Sequence, residues 1–200
     1  MAEEDRDTRE RIIEATSRAL TASGYADLTM ADIAAESDTS TALLHYHFDT
    51  KEDLLVDFLD QLVDDLEADL HETTTGDPMA GLEAIIDLFV FDETEAERKA
   101  FHQAMLELRT QAPYNERVQQ RFRRADRLVR DALTAVLTEE AIAYGGTPVK
   151  PTDLATMIVA TMDGARSRQL LLGEPDYAAT VKDVVLAQFF DHRTERPDPA

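Results

Sequence analysis

The sequence predicts an all-α protein with a small N-terminal head, residues 1–50, and a larger helical domain, residues 51–200. Apolar residues recur at intervals of three and four along most of the chain, and no segment shows the alternation typical of a β-strand. Glycine and proline occur mainly where this periodicity stops. With 200 residues, 44% of them hydrophobic, the chain is long enough to bury a core in two units.

Three helices are predicted in the head, and the first ends at Gly24. Thr29 begins the second as part of a capping-box pattern with Asp32, in which the hydroxyl accepts a backbone amide of the first turn. Ser40 is the predicted N-cap of the third, and Asp38 lies in the junction, where its side chain can support a turn. Two short helices joined this closely must cross at a steep angle, which is the geometry of a helix-turn-helix.

The third helix carries small and polar side chains on its predicted outer side. In a helix-turn-helix this helix lies in the major groove of DNA, while the preceding helix crosses the backbone. Leu44 and Phe48 are predicted to be core residues, whereas Tyr46 could face DNA or pack under the first helix. His45 and His47 lie two residues apart and point about 200° apart on a helix, so they cannot bind one metal ion together.

Six further helices are predicted beyond the head. They span approximately residues 51–73, 79–91, 94–111, 114–144, 152–172 and 176–192. The remaining segment, RTERPDPA, is predicted to be a frayed tail. The last two helices carry apolar side chains over so wide an arc that they need cover on two sides. A core and a second subunit would supply it, because symmetric dimers are the commonest oligomers. The alternative is that these are the most buried helices of a monomer.

The order of these motifs resembles the TetR family of transcriptional regulators over roughly residues 6–60. The matching segments are Gly24-Tyr25, Leu28-Thr29-Met30, Asp32-Ile33-Ala34, the serine-capped helix, Tyr46-His47-Phe48, Lys51-Glu52 and Leu54-Leu55. Asp38-Thr39 stands where the family usually has Gly-Val, and Ala42, Leu43 and His45 stand where it favours Gly, Thr and Tyr. The resemblance implies a nine-helix fold whose last two helices form a dimer interface, with an effector pocket enclosed mainly by helices four to seven.

The resemblance also assigns functional residues. The predicted DNA-binding residues are Thr29, Ser40, Thr41, Ala42, His45, Tyr46, His47 and Lys51. Thr41 and His45 are expected at base edges or nearby phosphates. Phosphate positioning is expected of Thr29, Tyr46, His47 and Lys51. Lys51 is the only lysine or arginine between Arg18 and Arg98.

Two further sets of residues are assigned in the larger domain. The predicted effector-pocket residues are Phe58, Leu62, Phe89, Phe101, His102, Met105, Arg109, Tyr114 and Phe122, most of which would serve equally well as plain core. The predicted dimer-interface residues are Leu154, Met157, Ile158, Thr161, Ala165, Val181, Val184, Val185 and Phe189. Residues 106–109 and 158–164 also resemble the branch containing choline and betaine repressors, but the effector stays unknown. Seven arginines from Arg109 to Arg130 predict a solvated face paired with carboxylates, or alternatively an anion site.

The charge of the chain is unusual for a DNA-binding protein. It has 41 acidic and 20 basic residues, a net charge of −21, and residues 1–55 hold 13 acidic and five basic side chains, hence −8. Either the chain does not bind DNA, or it works in concentrated salt, because at about 1 M the Debye length is only about 3 Å. Only four of the 20 basic residues are lysine. Acidic, lysine-poor surfaces resemble those of halophilic archaea, which implies a haloarchaeal cytoplasm and little DNA affinity from counterion release.

Other function classes lack their motifs. The chain contains no cysteine, phosphate-binding loop, nucleophile elbow or His-Glu-x-x-His pair, so no metal, cofactor or catalytic residue is expected. No apolar run approaches the roughly 20 residues that span a bilayer, so no membrane partner is expected. The prediction is a homodimeric, ligand-responsive repressor that binds a palindromic operator. The alternative is an acidic helical adaptor that binds protein and has lost DNA reading.

Overall fold

The computed structural model describes residues 2–91, 95–144, 149–173 and 176–194, with side chains described for 7–91, 95–139, 149–173 and 176–187. Within these residues the chain forms nine α-helices and no β-strand. The helices are α1 (Ala2–Asp27), α2 (Met30–Glu36), α3 (Thr41–His47), α4 (Lys51–Thr73), α5 (Pro78–Asp87), α6 (Ala96–Arg109), α7 (Glu116–Tyr144), α8 (Pro151–Leu172) and α9 (Tyr177–Thr194). The predicted all-α class and nine-helix architecture are confirmed.

The helix ends differ from the predicted ends at a few places. The helix predicted for residues 79–91 ends at Asp87. The next two amides bond to the carbonyl three residues before them, and not four as in an α-helix: Leu88 donates to Ile85 at 3.3 Å and Phe89 to Ile86 at 3.0 Å. α9 continues to Thr194, so the first two residues of the predicted tail are helical. Residues 195–200 of that tail lie outside the described residues.

The chain forms two compact units. The first contains Met1–Leu66 and Ala96–Ala125, and the second contains Glu67–Glu95 and Asp126–Ala200. α4 and α7 each contribute to both units. The predicted boundary between residues 50 and 51 separates functional domains, not compact units, and it stays a prediction.

The core of the first unit holds α3 in place. Leu44 is fully buried and Phe48 is 3% exposed, as predicted, and both lie in one apolar cluster with residues of α1, α2, α4, α6 and α7. Leu54 and Leu55, at the start of α4, are also buried in this cluster. Burial of a leucine or phenylalanine side chain stabilises a fold by about 1.5–3 kcal/mol, so α3 is fixed mainly by its inner face.

Polar contacts join the helices of the second unit. Gln169 on α8 is buried and donates through Nε2 to the Phe91 carbonyl at 3.1 Å, while its Oε1 accepts the Ala178 amide at 3.1 Å. Lys182 on α9 bonds to Asp87 at 2.6 Å and to Glu83 at 3.1 Å, both on α5. Burial alone would lower the pKa of Lys182, but these hydrogen bonds outweigh it and raise the pKa.

Two kinds of feature are absent from the described residues. No helix in them is long and apolar enough to cross a membrane. The same part of the chain holds no group of three histidine, aspartate or glutamate side chains placed to bind a metal ion.

Candidate nucleic-acid interface

α2 begins with the predicted capping box. The Thr29 hydroxyl accepts the Asp32 amide at 3.2 Å, and Asp32 Oδ2 accepts the Thr29 amide at 2.8 Å. The Thr29 hydroxyl also donates to Asp32 Oδ2 at 2.5 Å, and this bond first and the backbone amide second favour the ionised carboxylate and lower the pKa of Asp32. The negative charge suits the positive end of the helix dipole. It also lies beside the predicted phosphate contact of Thr29.

The turn between α2 and α3 rests on an unusual backbone conformation at Asp38. Its φ angle is 52°, in the left-handed region that favours glycine and that aspartate tolerates better than most residues. The sequence predicted that the Asp38 side chain would support the turn, but that side chain makes no hydrogen bond within the described structure. Ser37 and Thr39 supply the side-chain bond instead, with 2.7 Å between their hydroxyl oxygens. The Thr39 amide donates to the Ala34 carbonyl at 3.0 Å.

α3 presents its predicted reading face to solvent. Ser40 caps the helix by accepting the Leu43 amide at 3.1 Å. Thr41, Ala42 and His45 are exposed. Tyr46 is 76% exposed, which rules out the alternative that it packs under α1. The predicted DNA-reading residues of α3 therefore lie together on one accessible surface, opposite the buried Leu44.

His47 lies in a different environment from His45. It is half-buried, and its ring meets the Tyr46 ring edge to face at 5.2 Å between centroids. The Phe48 ring lies at 6.4 Å. The two histidines point in different directions, as their spacing predicted, and the phosphate contact of His47 stays a prediction.

Lys51 has an internal role that sequence reasoning missed. Its Nζ donates to the Leu28 carbonyl at 2.9 Å and to the Tyr25 carbonyl at 3.4 Å, and it lies 4.9 Å from the centre of the Tyr25 ring. Burial raises the pKa of Tyr25, and the nearby charge of Glu52 adds to the shift. Lys51 thus ties the start of α4 to the end of α1 and to the residue that follows it. A phosphate contact would have to share its ammonium with these carbonyls, and that contact stays a prediction.

Acidic residues of α4 and arginines of α7 form a ladder of ion pairs within the first unit. Arg121 bonds to both oxygens of Asp60, at 2.9 and 2.7 Å, and Arg124 bonds to Asp64 at 2.7 Å. Arg117 bonds to Asp53, whose pKa is lowered first by that bond and then by the Thr50 hydroxyl. The prediction that arginines of this region pair with carboxylates is confirmed at these three rungs.

The predicted pocket residues do not all lie together. Phe58 is buried in the first unit, where Leu62, Phe101, Met105 and Phe122 pack partly buried against the same core. His102 and Arg109 are half-buried nearby on α6, with the Arg109 guanidinium 5.7 Å from the centre of the Phe122 ring. Phe89 belongs to the second unit, under Arg166 at 5.1 Å, and Tyr114 is 89% exposed. The effector pocket stays a prediction. Its remaining candidates are the predicted residues other than Phe89 and Tyr114, and all of them lie in the first unit.

The predicted dimer residues divide into an inner and an outer group. Ile158 is fully buried and Ala165 is 3% exposed, so both pack inside the chain's own core and offer no surface to a partner. Met157 and Val184 are 55% and 58% exposed, and Thr161 is exposed as well. The half-buried members of the set are Leu154, Val181 and Val185. The side chain of Phe189 lies outside the described residues. Sequence reasoning missed Leu171, which is 72% exposed.

Comparisons with known proteins agree with this architecture. Residues 12–58 match the family of bacterial regulatory proteins called the tetR family, and residues 78–191 match the C-terminal domain of BetI-type transcriptional repressors. No curated protein gave a significant match. The second match agrees with the resemblance to choline and betaine repressors noted at residues 106–109 and 158–164.

Solved structures with the same fold are transcription regulators. A TetR regulator from Haloarcula marismortui is 38% identical, over 93% of this chain and 97% of its own, with a TM-score of 0.79. A transcriptional regulator from Rhodococcus sp. is 26% identical, over 92% of this chain and 96% of its own, with a TM-score of 0.73. FadR from Bacillus subtilis, solved with stearoyl-CoA, is 20% identical, over 90% and 96%, with a TM-score of 0.65, and shows the fold alone. The chain therefore belongs to the TetR family of transcriptional regulators, with a helix-turn-helix DNA-binding domain at its N-terminus.

Proposed function

We propose that this regulator is a homodimeric repressor that binds a palindromic operator through α3 and releases it when a small molecule binds the C-terminal domain. The observation that carries the proposal is the division of α3 into two faces. Leu44 is buried, whereas Thr41, Ala42, His45 and Tyr46 are exposed together. A helix held rigidly from one side and polar on the other meets the requirement for reading bases in a major groove.

Exposed apolar side chains on α8 and α9 support the dimer. Met157, Gly164 and Leu171 lie at intervals of seven along α8 and are all exposed. A β-carbon on Gly164 would meet nothing within 4 Å, so this stripe leaves room for a second backbone. Val184 adds an exposed apolar residue on α9. Large apolar side chains exposed on two neighbouring helices are typical of a surface that a partner covers.

Release by ligand is proposed to act through the spacing of the two recognition helices. Both helices of a dimer must reach one face of DNA about 34–36 Å apart or a multiple of that distance. α4 begins in the first unit and ends in the second. A ligand that binds one arrangement of the C-terminal domain more tightly would shift the population toward it and change this spacing. The BetI-type domain match and the complex of FadR with stearoyl-CoA support a ligand-binding role for this fold.

The proposed working medium is concentrated salt, as in a halophilic archaeon. The net charge of −21 favours unfolding by self-repulsion at low ionic strength. The similar regulator from Haloarcula marismortui supports this medium. The melting temperature should rise as KCl is increased from about 0.1 M to about 2 M, since salt screens the repulsion. A melting temperature that falls over this range would contradict the proposal.

The experiment that tests DNA reading uses two matched histidine variants. Purified protein is footprinted on the DNA upstream of its own gene in about 2 M KCl. We expect the protein to protect an inverted repeat. His45→Ala should bind this repeat with an affinity that is lower by about tenfold or more. His71→Ala removes another exposed histidine, at the end of α4, and should bind like the original protein. A folded dimer that binds no DNA at any salt would favour the acidic adaptor instead.

A further inference from the structure

The basic side chains near the recognition helix are largely bonded within the protein. Arg9 pairs with Asp57 and lies 5.4 Å from the centre of the Phe48 ring. Arg18 donates to the Glu36 carbonyl at 3.1 Å and lies 3.5 Å from its carboxylate. Lys51 donates to two backbone carbonyls. A phosphate bound at these three groups would have to share them with their present partners.

Carboxylates lie beyond both ends of α3. Asp38 precedes the helix and Asp49 follows it, and both are exposed. Neither carboxylate makes a hydrogen bond or ion pair within the part of the chain that the structure describes. α3 has seven residues, a length of about 10 Å, and the major groove is about 12 Å wide. When a helix of this length lies across the groove, the residues just beyond its two ends approach the phosphates that border the groove.

The groups on this surface do not favour the usual electrostatic mode of DNA binding. Proteins that neutralise phosphates with lysine and arginine release condensed cations, so their affinity falls steeply with salt, by about 0.9 logarithmic units per contact and per tenfold increase in salt. A carboxylate brought to a phosphate displaces no cation. A cation must stay between the carboxylate and the phosphate, because both groups are negative.

We propose that the cations around the operator phosphates are retained when this protein binds, so that operator affinity does not fall, or even rises, as KCl increases. The inference rests on the proposed function, since it concerns the same α3 surface. In this proposal Asp38 and Asp49 determine how operator affinity depends on salt, and the exposed face of α3 reads the base sequence.

The test measures operator affinity at several KCl concentrations between about 0.5 and 2 M, using protein whose folding is checked at each concentration by circular dichroism. A protein that neutralises six phosphates would lose affinity by on the order of 10³-fold over this range. We expect a change of less than about tenfold, or a gain. Specific binding that weakens by the larger factor would overturn the inference while leaving the proposed function intact. No specific binding at any salt would overturn both.

Two double variants test the assignment to particular residues. Asp38→Asn with Asp49→Asn removes four carboxylates per dimer, and asparagine accepts the left-handed conformation at residue 38 as readily as aspartate does. This variant should bind more tightly at about 0.5 M KCl, and its slope of log affinity against log salt should be more negative by about 2 to 4. Asp69→Asn with Glu72→Gln makes the same charge change at two exposed residues, which lie about 27 and about 32 Å along α4 from Lys51. Equal slopes in the two variants would overturn the role of Asp38 and Asp49.

Discussion

Glu107 on α6 accepts a hydrogen bond from the backbone amide of Tyr25 on α1, with 2.9 Å between the nitrogen and Oε2. The same oxygen lies 2.9 Å from the place where a β-carbon would stand on Gly24. Gly24 interrupts the helical conformation of α1, with φ 73° and ψ 168°. The amide that follows needs an acceptor other than the regular helical carbonyl, because a buried donor without a partner is costly. Glu107 supplies it and joins α6 to the break in α1.

Replacement of Glu107 tests this bond. Glu107→Ala should lower the free energy of unfolding by about 1–3 kcal/mol, because the Tyr25 amide loses its acceptor. Glu107→Gln keeps a carbonyl oxygen and should retain most of the stability. Urea unfolding at one fixed molar KCl concentration measures both. Equal losses in the two variants would mean that the charge of Glu107, and not its hydrogen bond, stabilises the contact.

Gly24→Ala should destabilise the fold more than the same replacement at Gly76. The backbone angles at residue 24 are essentially restricted to glycine, and an added methyl group would also press on Glu107, so we expect a loss of about 1–3 kcal/mol. Gly76→Ala is the control, since its β-carbon would meet nothing within 4 Å. The change there should be within about 0.5 kcal/mol. Comparable losses at the two positions in urea unfolding would contradict this account.

A double-mutant cycle tests the ladder between α4 and α7. Arg121→Ala, Asp60→Ala and the double variant should give a coupling energy of about 1 kcal/mol or less at about 0.5 M KCl, since both side chains are partly exposed. The coupling should shrink at about 3 M KCl because salt screens the pair. The same cycle with exposed Arg123 in place of Arg121 should give no coupling. A coupling that grows with salt would argue against ion pairing.

The pH dependence of stability should contain a contribution from Asp53. Its pKa is lowered from the ordinary value of 3.8 by Arg117 first and by Thr50 second. Since the folded pKa lies below the unfolded one, the stabilisation is present above pH 3.8 and is lost as the pH falls through the folded pKa. Asp53→Asn should therefore lose less stability than the original protein in acid. Thermal unfolding from about pH 6 to about pH 2 would show it, with Asp69→Asn, which removes another carboxylate of α4, as the control for the loss of one charge.

Val184→Arg should separate the proposed dimer without unfolding the subunit. The side chain is 58% exposed on α9, so an arginine fits the free subunit but would be buried without a partner in an apolar interface. Ala84→Arg places the same charge at an exposed position of α5 and should leave the oligomeric state unchanged. Sedimentation velocity in molar KCl reports the mass. A Val184→Arg protein that remains dimeric would exclude this face as the interface.

The features that sequence predicted well are those that depend on neighbours within a few residues. The capping bonds of Thr29 and Ser40 and the breaks between helices follow from local chemistry, since a hydroxyl reaches only the amides of the next turn. The buried side of α3 was predicted for a related reason: Leu44 and Phe48 recur at helical spacing, and that periodicity is visible in the chain itself.

Tertiary structure alone decided which partner each charged or apolar group found. The sequence predicted a phosphate contact for Lys51, yet its ammonium bonds to carbonyls more than 20 residues away. Ile158 and Met157 are adjacent apolar residues, yet one is fully buried and the other is 55% exposed. Composition and local pattern determined the helices, the family and the net charge of this protein. Which apolar residues of α8 are buried, and which basic side chains have donors left for DNA, depends on contacts between distant segments, because only packing brings those groups together.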